Sequence, residues 1–107
     1  VITGSLDEIF SYDGVLAVPR DPNDTLRACN GVVLCPTRVD IMEASGTDME
    51  VLNKFPHDWL DDLFRKQVVS YKKHVRDNGL GDARIVYFHG EPKPHVLKER
   101  WIAEHWR

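Results

Sequence analysis

The sequence predicts an α/β domain with three to four mostly buried strands, one long helix and several short helices. Three observations lead to this prediction. Apolar runs at 15–18, 32–35 and 85–88 do not alternate with polar residues, which favours strands covered on both faces. Apolar side chains recur at helical spacing between 59 and 75. Prolines and an Asn-Gly pair separate these segments.

The first half of the chain is predicted to contain one helical turn and two strands. Ser5 and Glu8 have the spacing of a capping box, which predicts a short helix after Ser5. The runs at 15–18 and 32–35 are each followed directly by a proline, which cannot continue the hydrogen bonding of a central strand. Residues 25–29 fit neither a helix nor a strand pattern and stay unassigned.

The second half is predicted to contain the long helix and the most apolar strand. Thr47 and Glu50 form a second capping-box pattern before a short helix that Pro56 interrupts. The long helix is predicted to run roughly from Asp58 to Asp77, and strand 85–88 follows it. The predicted core comprises Leu16, Val32, Leu34, Trp59, Leu63, Phe64, Ile85, Val86 and Phe88.

Composition limits the class of protein. A chain of 107 residues is expected to form a single domain over 1–107. The net charge of −3 argues against binding to nucleic acid or to an anionic membrane. No apolar run approaches the length of a transmembrane helix, and the first ten residues lack the features of a signal peptide, so a cytoplasmic location is expected. Val1 begins as though in mid-strand, which suggests a chain cut from a larger fold.

The stretch 84–95 is the strongest candidate for a functional site. A buried strand is followed directly by ionisable residues on a loop stiffened by Gly90, Pro92 and Pro94, an arrangement that often builds a site in α/β proteins. His89 is a candidate metal ligand and Lys93 a candidate phosphate contact. The competing interpretation is an ordinary loop with a solvated histidine and lysine.

Four segments, at 1–10, 30–34, 68–75 and 89–107, together resemble a known family. The last segment is the most specific, because His89, Gly90, Lys93-Pro94 and a terminal aromatic cluster occur in order. The chain resembles the C-terminal half of a bacterial or phage glycosyltransferase-like protein with the GT-A fold, distantly similar to the glycogenin-like family 8 glycosyltransferases.

This resemblance implies a role for each matching residue. In the complete family fold His89 would be a ligand for Mn²⁺ or Mg²⁺, although this chain by itself is expected to bind the metal weakly or not at all. Lys93 would contact the diphosphate of a nucleotide-diphosphate sugar, and Gly90 in the same loop would be a further substrate-binding residue. Asn30 and Gly31 would border the sugar or acceptor site. The family's Asp-x-Asp motif and its N-terminal nucleotide-binding half are absent, so the chain by itself is expected to be inactive.

Two other functions compete with this interpretation. The first is a small non-catalytic module, derived from the same fold, for oligomerisation or partner binding. A homo-oligomer is expected in either case, because short strands leave sheet edges to be covered. The second is an independent metal-binding protein that uses His89, His95 and His105.

Overall fold

The computed structural model of the chain describes residues 1–36 and 45–106, with only the backbone described at residue 48, and has small sheets and short helices in an α/β arrangement. The strands are β1 (Ala17–Val18), β2 (Arg20–Asp21), β3 (Asp24–Ala28), β4 (Asp58–Trp59), β5 (Val68–Ser70) and β6 (Ile85–Tyr87). The helices are α1 (Asp7–Phe10), α2 (Asp48–Lys54), α3 (Leu60–Leu63), a π-helix (Tyr71–Val75), α4 (Arg76–Asn78), a 3-10 helix (Pro94–Val96) and α5 (Arg100–His105).

The strands pair into three two-stranded sheets. β5 and β6 are parallel, with Val69 opposite Val86 and Ser70 opposite Tyr87. β1 and β4 are also parallel, whereas β2 and β3 form an antiparallel hairpin. Isolated bridges join Ile2 to β6 and Leu34 to β1. The β5–β6 pair is almost wholly buried, because most of its side chains are β-branched or aromatic, whereas in the β1–β4 pair only β1 is buried and Asp58 of β4 is exposed.

The core consists of three clusters of buried side chains. The first joins α1, β1, α3 and the β5–β6 pair, the second joins β5, β6 and the π-helix, and the third joins β1 and α2. Leu60, Val86 and Val18 are fully buried, one in each cluster. The β5–β6 pair contributes to two of the clusters, so it holds the two ends of the domain together.

The prediction of one long helix between Asp58 and Asp77 is wrong. That segment contains β4, α3, β5, the π-helix and α4. Lys66 has a φ of 62°, a left-handed conformation that ends a helix. The β-branched Val68 and Val69 then pair with β6. The apolar spacing was misleading, because a short helix and a buried strand in succession also bury residues three and four apart.

Other local predictions have mixed outcomes. The capping box at Thr47 and Glu50 is confirmed in both halves, with bonds of 3.3 Å each. The box predicted at Ser5 does not form, because α1 begins at Asp7 after an N-cap of Leu6 that makes no side-chain capping bond. The strand at 85–88 is confirmed as β6. The run at 32–35 provides only the bridge of Leu34 to β1, while the unassigned 25–29 is mostly β3.

The C-terminal segment is held against β6 by aromatic contacts. The rings of Tyr71 and Phe88 stack with centroids 5.0 Å apart, and Trp101 lies 6.4 Å from Phe88. Tyr71 Oη and Trp101 Nε1 both donate hydrogen bonds to the carboxylate of Glu99. These contacts fix the direction in which the chain leaves β6.

Within the described ranges, no helix combines the length and apolar character needed to cross a bilayer.

Candidate functional site

His89 lies just beyond the carboxyl end of the β5–β6 pair. β6 ends at Tyr87, directly opposite Ser70 at the end of β5. Because the two strands are parallel, both run out at the same edge, which is where α/β proteins commonly place their ligands. His89 is half-buried there, two residues after the strand ends. His89 therefore follows a buried strand, as its position in the sequence suggests, while its contacts come from the β2–β3 hairpin and Cys29 rather than from Lys93.

The imidazole of His89 contacts the β2–β3 hairpin and the residue that follows it. Nε2 is 3.2 Å from Asn23 Nδ2 and 3.7 Å from Asp21 Oδ1. Nδ1 is 3.9 Å from Cys29 Sγ. In the tautomer that carries its proton on Nδ1, Nε2 accepts a hydrogen bond from the Asn23 amide and the Nδ1–H group faces the Cys29 sulfur. The single lone pair of Nε2 is then used by Asn23, so a metal ion bound at Nε2 would have to displace that amide.

Asp21 is the buried carboxylate of this site. Its Oδ1 accepts a 2.8 Å hydrogen bond from the backbone N–H of Asn23, which shapes the turn between β2 and β3. A buried carboxylate requires such partners, because burial without them is costly. Residues 20–24 have the composition of an ordinary polar turn, so the sequence does not single out Asp21 as a site residue. The available signal was an Asp within the Asp-Pro-Asn-Asp turn directly after an apolar strand.

Cys29 closes the other side of the imidazole. The side chain is buried, and burial raises the pKa of its thiol, so the sulfur stays protonated at neutral pH. A neutral, buried thiol is neither a good nucleophile nor a thiolate ligand. Cys29 is therefore a packing neighbour of His89 that accepts a weak hydrogen bond.

The other predicted site residues come before and after His89 in the chain. Asn30 and Gly31 directly follow Cys29; Asn30 is exposed, and Gly31 packs against the ring of Tyr87. Gly90 has a φ of 63°, which favours glycine. Lys72 Nζ is 3.5 Å from the point where a Cβ of Gly90 would lie.

Lys93, the last of the predicted residues, is half-buried and directly precedes the 3-10 helix. No hydrogen bond or ion pair between described residues links it to His89.

A cleft of about 360 Å³ adjoins Asp21. It is lined by side chains from β2, α3, β5, the π-helix and the turn before β5. Its wall contains the cations Arg20, Arg65, Lys66 and Lys73, the carboxylates of Asp21 and Asp61, and the imidazole of His74. Burial, and secondarily the Asp61 carboxylate, raises the pKa of Tyr87, whose ring forms part of the same wall, so its phenol is neutral.

A divalent cation held by Asp21 and His89 would displace the Asn23 amide from Nε2 and would need further ligands. Bonds of about 2.1–2.2 Å from one ion to each atom can span the 3.7 Å between Asp21 Oδ1 and His89 Nε2. In the part of the chain that the structure describes, no three His, Cys, Asp or Glu side chains are grouped to hold a metal by themselves. The hypothesis of an independent site of His89, His95 and His105 therefore gains no support.

Comparisons of the chain with protein-family models, curated proteins and solved structures found no match. The resemblance to glycosyltransferases consequently depends on the sequence segments quoted above, and the chemistry of the site has to be argued from its own residues.

Proposed function

We propose that this chain is glycosyltransferase-like, with the GT-A fold, and that it holds the diphosphate of a nucleotide-diphosphate sugar during sugar transfer. The single observation that carries the proposal is the pairing of His89 with the buried Asp21, 3.7 Å apart, at the carboxyl edge of a parallel strand pair. The proposal includes the cytoplasmic location expected from the sequence.

Mn²⁺ or Mg²⁺ is the cofactor in this proposal, with His89 Nε2 and Asp21 Oδ1 as its protein ligands. Such an ion offsets the negative charge that develops on a diphosphate leaving group. Two protein ligands are fewer than these ions require, and phosphate oxygens commonly complete the coordination. Metal and nucleotide should therefore bind together, and each should bind weakly without the other.

The remaining sequence candidates take the roles that the resemblance implies. Lys93 contacts the diphosphate, Gly90 is a substrate-binding residue of the same loop, and Asn30 and Gly31 border the sugar or acceptor. The 107 residues contain no Asp-x-Asp motif, which supplies the carboxylate ligands in the family. Among the residues that the structure describes, Asp21 is the carboxylate paired with His89, and measurable sugar transfer by the chain alone is not expected.

Calorimetry with UDP tests the proposal. UDP should bind in the presence of Mn²⁺ and lose affinity when the metal is removed with a chelator. His89→Ala and Asp21→Asn should each weaken UDP–Mn²⁺ binding by about tenfold or more, the effect of losing one charge-assisted contact. His95→Ala is the matched control, because His95 is exposed on the 3-10 helix and should leave binding unchanged. Equal affinity for UDP with and without metal, or unchanged affinity in His89→Ala, would contradict the proposal.

The second candidate function is that of a small non-catalytic module for oligomerisation or partner binding. The observation that favours it is an apolar groove at α1, formed mainly by Ile9, Phe10, Tyr12, Val33 and Leu34. Phe10 is 71% exposed and Val33 42% exposed. Exposed apolar side chains that share one groove, rather than being scattered singly, are typical of protein contacts. A second copy of the chain is the occupant that this function requires.

A further inference from the structure

The cleft beside Asp21 contains more positive charge than its neighbourhood neutralises. Arg65 and Lys66 come from the turn between α3 and β5, and Lys73 comes from the π-helix. Among the described residues, none of these three cations forms an ion pair with a carboxylate. Arg20, also in the wall, is paired with Asp62 at 3.0 Å and stacked over Trp59, so it is already engaged. Three cations therefore remain available to a ligand.

The carboxylates in the same wall are engaged by backbone donors. Asp61 Oδ2 accepts a 2.7 Å hydrogen bond from the backbone N–H of Arg20, and Asp21 Oδ1 accepts one from that of Asn23. Each carboxylate keeps further lone pairs that a hydroxyl group of a ligand can satisfy. These groups would repel a simple anion placed beside them. The phosphate of a ligand must therefore lie towards the cations.

Ser70 adds a neutral donor to the cleft. The residue is buried at the end of β5, and its Oγ accepts a 3.3 Å hydrogen bond from the backbone N–H of Lys73. The hydroxyl proton remains free to donate, because in the described residues Ser70 Oγ acts only as an acceptor. The cleft thus combines cations, hydrogen-bond acceptors and one hydroxyl donor around a volume of about 360 Å³, which suits a small ligand.

We propose that this cleft binds a phosphorylated sugar, with the phosphate held by Arg65, Lys66 and Lys73 and the sugar hydroxyls directed to Asp21 and Asp61. A phosphate needs several cations, whereas an uncharged sugar needs none and would leave them unpaired. The proposal goes beyond the proposed function and does not depend on it, because it requires neither a metal ion nor His89.

The backbone of Lys66 provides an independent argument. Among the described residues, Lys66 is the one non-glycine residue with a positive φ, at 62°. This conformation is unfavourable for a side chain with a Cβ, and such residues concentrate at functional sites. Glycine would adopt the same turn without strain. A lysine there is explained if its charge serves a ligand, and Lys66→Gly then separates folding from binding.

The test is calorimetry with glucose 6-phosphate in a buffer containing a chelator. Glucose 6-phosphate should bind more tightly than glucose, glucuronate or inorganic phosphate. Lys66→Gly and Lys73→Gln should each weaken its binding by about tenfold or more, and Lys66→Gly should unfold at a higher temperature than the parent chain. Lys98→Gln, which changes an exposed lysine outside the cleft, is the matched control and should bind as the parent does.

Several results would overturn the proposal. Absence of binding at millimolar glucose 6-phosphate would do so, as would equal binding of glucuronate or of inorganic phosphate. Unchanged affinity in both Lys66→Gly and Lys73→Gln would show that the cleft is not where the ligand lies. A lower unfolding temperature for Lys66→Gly would assign Lys66 a structural role instead.

Discussion

Gly31 shows how a packing requirement and a binding role can coincide at one residue. The resemblance places Gly31 at the border of a sugar or acceptor site, and in the structure it faces the ring of Tyr87. A Cβ at this position would lie 2.8 Å from Tyr87 Cδ2 and 3.0 Å from Cγ. The ring is buried and supports the end of β6, so it cannot easily give way. This contact alone is a sufficient reason for glycine at 31.

Gly31→Ala is therefore expected to destabilise the fold by about 1–3 kcal/mol, the usual cost of adding a methyl group to a tightly packed contact. Gly4→Ala is the matched control. Its added Cβ would meet the side chain of Arg84, which is exposed and flexible, and should change the free energy of unfolding by less than about 0.5 kcal/mol. Urea denaturation of both variants measures the difference. Equal stability of the two would contradict the close contact with Tyr87.

His89 shows, again for a single residue, that local chemistry alone does not define a site. The imidazole becomes a candidate ligand because Asp21 comes within 3.7 Å of Nε2 from another part of the chain. Lys93, four residues further along, has the charge expected of a phosphate contact. Its role depends on where the diphosphate lies, and the calorimetric test above addresses that question.

At the scale of elements, the segment predicted as one long helix illustrates how burial follows local structure. Leu60 begins α3 and is fully buried, whereas Leu63 ends it and is 47% exposed. A continuous helix would have placed both on its apolar face. Instead the chain turns after α3, with Lys66 in the left-handed conformation, and β5 enters the core beside β6. The prediction that Leu63 belongs to the core is therefore wrong, while Phe64 is buried as predicted.

The two leucines of α3 provide a matched pair of variants. Leu60→Ala should cost about 2–5 kcal/mol, because it leaves a cavity in the first core cluster. Leu63→Ala should cost less than about 1 kcal/mol, since roughly half of that side chain is already in water. Chemical denaturation monitored by tryptophan fluorescence measures both. A larger loss of stability for Leu63→Ala than for Leu60→Ala would contradict this burial pattern and favour the continuous helix.

At the scale of the whole molecule, the three core clusters leave several large apolar side chains in solvent. Among the described residues, Leu26 is 90% exposed and Phe10 71% exposed. Leu26 projects from β3, whose side chains are exposed up to Ala28, whereas Phe10 lines the groove at α1. Covering this groove with a second copy would remove apolar surface from water, which favours association.

We expect light scattering to detect a dimer or a larger species at micromolar concentration. Phe10→Ser should shift the population towards the monomer, because it removes the largest exposed side chain of the groove. Leu26→Ser, a substitution at an even more exposed apolar residue away from the groove, should leave the mass unchanged. A stable monomer in the parent chain would remove the basis of the second candidate function and leave the UDP experiment as the remaining test.

The sequence by itself determined the α/β class, strand β6, the capping box at Thr47 and the placement of His89 after a buried strand. These features depend on local chemistry: an apolar run, a cap three residues from its partner, and a loop that starts where the run stops. A short-range signal is sufficient for each of them.

Only the tertiary structure decided between helix and strand at 68–70, because apolar residues three and four apart are buried equally well by either arrangement. It also decided which carboxylate accompanies His89. Asp21 lies 68 residues earlier in the chain, in a turn that looks like any other polar turn, and reaches the imidazole because the β2–β3 hairpin packs against the end of β6. The partners of a site come from separate parts of the chain, so local sequence patterns identify its members singly and the packing of the fold assembles them.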